Sequence, residues 1–226
     1  PDRRARSHCR EQRLTRGGFA AAGLLGQEPG HGAVLDKHRI ALGPRDQAGG
    51  RRVAVGYDGR ESSPKLEAAV VRGFVASGID VTRIGLCATP TLYFAVHALD
   101  VDGGVMVTGS HNPPEYNGFK MMLGRRAFYG EEIQELARIA AAGAFVDGEG
   151  RIADASVVEA HIARIVADNP IRRPLKVVWD PAHGAPARAL PELTARLPGE
   201  HVLINCEVDS AFPAHHPDPT QAENLV

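Results

Sequence analysis

The chain has 226 residues, 43% of them hydrophobic, and a formal net charge of −1. That is enough for one large or two small domains with a real core, and it lacks the global field that draws proteins to nucleic acid or anionic membranes. No apolar run approaches the roughly 20 residues of a membrane span, and the three scattered cysteines, Cys9, Cys87 and Cys206, give neither a disulfide framework nor a zinc spacing.

Residues 1–50 contain nine glycines, scattered arginines and no sustained period, so they read as an irregular segment. Six arginines against one Asp and one Glu in the first 20 residues are compatible with an organellar presequence, but sparse cysteines make a reducing cytoplasm the default. The chain opens on Pro1 rather than Met, so a start further upstream is expected. Regular punctuation begins at Arg52. Val53 to Tyr57 is a strand ending in the Asp58-Gly59 turn. Ser62 or Ser63 caps a helix opening at Pro64, with Leu66, Val70 and Phe74 at helical spacing and Gly78 as its stop. Val81 to Leu86 is the next strand, and Thr89 caps a helix to about Leu99. Gly104 to Val107 is a third strand, Phe119 to Leu123 a fourth, and Glu131 to Ala142 a helix with acids in its first turn. Gly143 to Asp154 reads as a linker, and Val158, Ile162 and Ile165 mark a connecting helix. A strand from Leu175 to Trp179, a helix from about Gly184 to Leu197 and a strand from His201 to Ile204 follow. This alternation predicts a mixed α/β fold, a largely parallel sheet with flanking helices, plus an incomplete second α/β domain. Ligands on such sheets bind at the carboxyl ends of strands.

Ser110 falls at such an end, within Thr108-Gly109-Ser110-His111-Asn112-Pro113-Pro114-Glu115-Tyr116-Asn117-Gly118-Phe119-Lys120. A serine that carries phosphate needs exposure, hydrogen-bond donors and a nearby cation. Gly109 permits close approach, His111 and Asn112 can donate to phosphate oxygens, and successive loop N–H groups can form an anion nest. Lys120 can neutralise a transferred phosphoryl group or act as acid or base. The plainer reading is a polar turn with an Asn117-Gly118 hairpin. Arg60 is open to two readings: a bidentate phosphate ligand, or a partner of Asp58 or Glu61 that holds the turn. Asp100-Val101-Asp102-Gly103 is a solvated strand entrance rather than a metal site. His215-His216-Pro217-Asp218 reads as a structured loop, and Asp180-Pro181-Ala182-His183-Gly184 as a tight strand-to-helix turn. A serine hydrolase would need a Gly-x-Ser-x-Gly elbow, which is missing.

Val55-Gly56-Tyr57-Asp58-Gly59-Arg60, Thr89-Pro90-Thr91 and Thr108 through Lys120 resemble the first domain of the α-D-phosphohexomutases, in their phosphomannomutase/phosphoglucomutase branch. The resemblance continues through Trp179-Asp180-Pro181-Ala182-His183-Gly184 and Phe212-Pro213-Ala214-His215-His216-Pro217-Asp218-Pro219. The Thr-Gly-Ser-His opening is less similar to the phosphoglucosamine branch, which tends to an alanine-serine pair. The resemblance implies that Ser110 is the phosphoserine, which passes its phosphate to a hexose phosphate, giving a hexose 1,6-bisphosphate, and recovers the other phosphate after the sugar turns over. It makes Ser110, His111 and Lys120 catalytic, with Asn112 and Arg60 on phosphate. It also implies Mg²⁺, held by Ser110 through its phosphate and otherwise by ligands absent from this chain. Two departures accompany it. No Tyr-Asp-Ile-Arg-Gly segment occurs in residues 1–50, and the Asp-Gly-Asp-Gly-Asp-Arg metal loop, the sugar loop and the C-terminal domains are missing. The expected organisation is an irregular segment 1–50 unlike the family, domain I over 51–143, a linker over 144–156 and a truncated domain II over 157–226. The expected function is that of a mutase part without turnover on its own. The alternative is a non-catalytic sugar-phosphate-binding or regulatory module that kept the serine loop.

Overall fold

The computed structural model describes residues 50–171 and 173–225; residues 1–49 of the irregular segment lie outside them. The first unit is built in the order β1 (Arg52–Tyr57), α1 (Ser63–Ala76), β2 (Asp80–Leu86), α2 (Thr89–Ala98), β3 (Gly103–Val107), β4 (Phe119–Leu123), β5 (Arg126–Phe128), α3 (Glu131–Ala141) and β6 (Ile152–Asp154). Its six strands form one sheet in the order β5-β4-β3-β1-β2-β6. β1 runs parallel to β2 and β3, and β2 runs parallel to β6, while β4 is antiparallel to both β3 and β5.

The central strand is apolar at successive positions because both faces of the sheet are covered. Val53 and Val55 pack with Val70, Val71 and Phe74 of α1. Ala54 faces the other way, into a cluster with Leu92 and Ala95 of α2, Met106 and Val157. Glu67 on α1 is fully buried. Its carboxylate receives Arg83 Nε at 2.7 Å and Nη2 at 2.9 Å from β2, a forked pair that ties helix to sheet.

The helix starts differ from the capping expected. Ser62 occupies the N-cap of α1 without a side-chain cap bond, and the Ser63 hydroxyl is drawn to Asp58 Oδ1 at 2.5 Å instead. Ala88, not Thr89, holds the N-cap position of α2. The stretch expected as a linker supplies β6, whose Ile152, Ala153 and Asp154 pair with Val81, Thr82 and Arg83. Three residues are too short to leave a periodic signature. Asp102 Oδ2 accepts the N–H groups of Arg51 and Arg52 at 2.8 and 2.9 Å, and Asp100 pairs with Arg52, so these acids fasten the sheet entrance.

α4 (Val158–Asp168) leads to the second unit, with β7 (Leu175–Trp179), α5 (Leu190–Ala195) and β8 (Gly199–Leu203). β7 and β8 are parallel. The single helix expected between them is divided into a 3₁₀ turn at Ala185–Arg188 and α5. Pro186 and Pro191 each lack an N–H for a continuous helical ladder. Among the described residues, no helix is long and apolar enough to cross a membrane.

Candidate active site

β3 is buried along its whole length and delivers the chain to Thr108 at the carboxyl edge of the sheet. The loop is closed at its base by Thr108 N–H donating to Gly118 O at 2.9 Å. Thr108 Oγ1 accepts Ser110 N–H at 2.9 Å, which turns the next residues back over the strand end. Ser110 adopts a left-handed backbone, φ 54°, and is half-buried. Lys120, on antiparallel β4, places Nζ 3.1 Å from Ser110 Oγ. The two residues expected to share the phosphoryl group are thus brought together by strand pairing.

The scaffold under the loop comes from the turn after β1. Arg60 is 2% exposed. Its Nε donates to Asp58 Oδ2 at 3.2 Å, Nη1 to Pro113 O at 2.5 Å, and Nη2 to Ser110 O at 3.1 Å and Asn112 O at 2.7 Å. Of the two readings of Arg60, this geometry favours the one that holds the turn. Its guanidinium is engaged by loop carbonyls and one carboxylate, a binding mode for backbone rather than for an incoming phosphate. Asp58 completes the clamp through Oδ2, which also accepts Gly109 N–H at 3.2 Å. Gly109 has no space for a side chain: a Cβ would stand 2.4 Å from Arg60 Cζ and 2.4 Å from Tyr116 O.

Asn112 and His111 diverge. Asn112 directs Nδ2 to Gly109 O at 2.9 Å, and its own N–H donates to the same carbonyl at 3.0 Å, so it closes the loop from within. His111 is exposed, with Nδ1 2.9 Å from Pro217 O in the second unit. A second contact joins the units: the Phe212 ring lies 5.3 Å from Arg60 Cζ, on a backbone with φ 50°, within cation–π range. A Cβ at Gly59 would meet Val208 Cγ1 at 2.4 Å, so Gly59 permits this close approach.

Asp58 beyond its pairing with Arg60, Ser63, Asn117 and Phe212 are the contributors that sequence reasoning missed. Asn117 Nδ2 donates to the hydroxyls of Ser62 and Ser63 at 2.9 and 2.8 Å. The Asp58-x-Arg60 spacing was the available signal for the clamp, whereas Phe212 gives no local cue.

The His/Asp motifs of the second unit form a cluster of their own. His215 Nε2 lies 2.9 Å from Asp180 Oδ2, and Nδ1 lies 3.0 Å from His216 O. Both ring nitrogens therefore face acceptors. The bond to the His216 carbonyl and then that to Asp180 raise the His215 imidazole above its ordinary value. Burial alone would raise the Asp180 carboxyl. Hydrogen bonds from His215, Ala182 N–H and Asn205 outweigh it and hold the group low. The Asp218 carboxyl is also held low, by the N–H and then the hydroxyl of Thr220, with His111 and His216 adding favourable charge. Cys87, behind β1, is pushed up to about 12 by burial and then by the Asp58 charge, so it is no nucleophile.

Among the described residues, no group of three or more His, Cys, Asp or Glu side chains could hold a metal ion. The neighbour of Ser110 Oγ is an ammonium group. Octahedral Mg²⁺ prefers carboxylate and phosphate oxygens, so the side chains described do not by themselves fit that ion.

The family model for phosphoglucomutase/phosphomannomutase alpha/beta/alpha domain I matches residues 37–147, and that for domain II matches residues 159–226. The first match opens inside the segment 1–50. A phosphoglucomutase of Neisseria meningitidis is 42% identical over 205 residues, covering 90% of this chain and 45% of that protein. A phosphomannomutase/phosphoglucomutase of Pseudomonas putida is 39% identical over 186 residues, covering 82% and 40%. The crystal structure of a phosphoglucomutase/phosphomannomutase family protein from Burkholderia thailandensis superimposes with a TM-score of 0.81 at 38% identity, covering 90% of this chain and 46% of that one. The chain therefore spans less than half the length of each of these relatives. With both domain models matched in order and the serine loop at the carboxyl edge of the first sheet, the chain belongs to the phosphoglucomutase/phosphomannomutase family.

Proposed function

We propose that this chain carries the phosphoserine part of a cytoplasmic phosphohexomutase that interconverts hexose 1-phosphate and hexose 6-phosphate, of mannose or glucose, through a hexose 1,6-bisphosphate. The observation that carries the reading is Lys120 Nζ at 3.1 Å from Ser110 Oγ, on a loop whose backbone is fixed from below by Arg60 and Asp58.

In the forward step the free hydroxyl oxygen of the hexose phosphate bonds to the phosphorus on Ser110. The bond from phosphorus to Oγ breaks, and the hydroxyl proton passes to His111. The Lys120 ammonium faces the negative charge that develops on Oγ and supplies the proton that restores the hydroxyl. After the bisphosphate turns over, its other phosphate returns to Oγ by the reverse sequence. Because such transfers need little covalent help, their rate rests on placement and charge. The loop clamp provides the first and Lys120 the second. Family membership suggests that the complete mutase is metal-dependent; Ser110 would meet Mg²⁺ only through a phosphate it carries, and the ion would neutralise charge on that phosphate. Among the described residues no carboxylate set stands ready for it, so phosphate uptake is a better assay of this chain than turnover.

The test is the intact mass of the protein after incubation with glucose or mannose 1,6-bisphosphate. The chain should gain one phosphoryl group and Ser110→Ala none. An equal gain in both rejects the assignment, and no gain in either, with saturable hexose-phosphate binding, favours the non-catalytic binding module.

A further inference from the structure

A hydrogen bond joins His111 to the second unit, and the chemistry of that pair is forced. A carbonyl oxygen only accepts, so with Nδ1 2.9 Å from Pro217 O the hydrogen sits on Nδ1. In the neutral ring, Nε2 then keeps its lone pair. The Asp218 carboxylate, next in sequence, has one oxygen tied up elsewhere. Its Oδ1 is engaged by Thr220 N–H at 2.9 Å and Thr220 Oγ1 at 2.7 Å.

The accepting carbonyl is itself set in place. Asn224 Nδ2 donates to His216 O at 2.9 Å and to Asp218 O at 2.8 Å, the carbonyls on either side of Pro217. Both partners are acceptors, so the orientation of the Asn224 amide is fixed by its surroundings. Asn224 N–H donates in turn to Gln221 O at 3.0 Å. The Pro217 ring removes one backbone freedom, and the peptide planes flanking its carbonyl are tied to a single amide group. The carbonyl between them is left pointing at His111.

We propose that Asn224 is a positioning residue for proton transfer at the serine loop: it aims the Pro217 carbonyl at His111 Nδ1 and thereby keeps Nε2 as the proton acceptor. The inference rests on the reading of His111 as the group that takes the hexose hydroxyl proton. Nε2 accepts that proton as the hydroxyl oxygen bonds to phosphorus and the phosphorus–Oγ bond breaks. The imidazolium that forms keeps its Nδ1–H on Pro217 O, and in the return step Nε2–H gives the proton back.

Long-range ¹H–¹⁵N correlation spectra of the histidine rings in the labelled 226-residue chain test this, under conditions where the spectra show the ring neutral. His111→Gln assigns the signal. The wild-type ring should be the Nδ1–H tautomer. Asn224→Ala should lower the ratio of Nδ1–H to Nε2–H about fivefold, the weight of one neutral hydrogen bond. Asn224→Asp, equal in size but without donors, should do the same. An Nε2–H tautomer in the wild type overturns the proposal without any variant, which covers the case in which a variant does not fold. An unchanged ratio in folded Asn224 variants overturns it as well. Phosphate uptake separates this failure from that of the underlying reading. If His111→Gln slows uptake about a hundredfold while the tautomer ignores Asn224, the positioning role falls alone. If the tautomer follows Asn224 but His111→Gln takes up phosphate at the wild-type rate, the proton-carrier reading falls and takes the catalytic purpose of Asn224 with it.

Discussion

Arg60→Met separates a scaffold role from a phosphate-binding role at the same residue. Methionine nearly fills the volume and removes every donor. Four hydrogen bonds are lost, one to Asp58 Oδ2 and three to the carbonyls of Ser110, Asn112 and Pro113. The Asp58 side chain is 13% exposed and keeps only the donors of Arg60 N–H, Ser63 and Gly109. Breaking a buried ion pair from one side costs about 3–5 kcal/mol, while loop carbonyls that reach water recover part of their loss. A cost of about 4 kcal/mol is a large share of the roughly 5–15 kcal/mol available to a domain. Arg60→Lys restores a charge beside Asp58 but not the fork across three carbonyls, so about half the cost should return. Denaturant unfolding followed by far-UV circular dichroism reads the stability. The fluorescence of Trp179, the single tryptophan, on β7, reports the second unit separately. Intact mass reads phosphate uptake on Ser110. The scaffold role predicts that stability and uptake fall together in Arg60→Met and recover together, in part, in Arg60→Lys. A normal unfolding midpoint with uptake abolished would refute the reasoning and return Arg60 to the phosphate.

Arg83→Ala leaves the buried Glu67 carboxylate without its forked partner and should cost about 3 kcal/mol by circular dichroism, whereas Glu67→Leu with Arg83→Met should recover most of it. A single substitution as mild as the double one would show that water already solvates the pair. The His215–Asp180 pair makes the second unit pH-sensitive. The folded His215 imidazole is raised, so its contribution is full below the ordinary histidine value, about 6.5, and fades as pH rises through the folded value. The folded Asp180 carboxyl is lowered, so its contribution is present above the ordinary carboxylate value and fades as pH falls through the folded one. The Trp179-detected midpoint should drop as pH rises through neutrality, and His215→Gln should flatten that drop. A wild-type midpoint flat in that range would contradict the assignment.

The first unit was legible wherever one apolar stripe or run was long enough to have a period. β1, with its alternating neighbours above and below the sheet, and α1, with Leu66, Val70 and Phe74, declare themselves locally. β6 did not, because its placement comes from pairing with β2 rather than from its own three residues. The helix before β8 is shorter than the apolar residues around it suggest, because Pro186 and Pro191 each remove an N–H from a continuous ladder. At the site, Ser110 and Lys120 could be joined from sequence, since a returning strand sets their spacing. The role of Arg60 could not be chosen, because it depends on three carbonyls some 50 positions away along the chain. Phe212 was out of reach for the same reason, since tertiary contact alone brings it to Arg60, and Asn224 because its partners are backbone carbonyls, which carry no sequence signal.

The φ of 54° at Ser110 also ranks the two hydroxyl amino acids that could sit there. Threonine offers the same reactive oxygen, but its extra methyl branches at Cβ, and branched residues are strongly disfavoured in left-handed backbone. Such a residue would have to unwind the turn and carry its oxygen away from the ammonium group on the neighbouring strand. The backbone thus selects a primary alcohol before any reaction takes place.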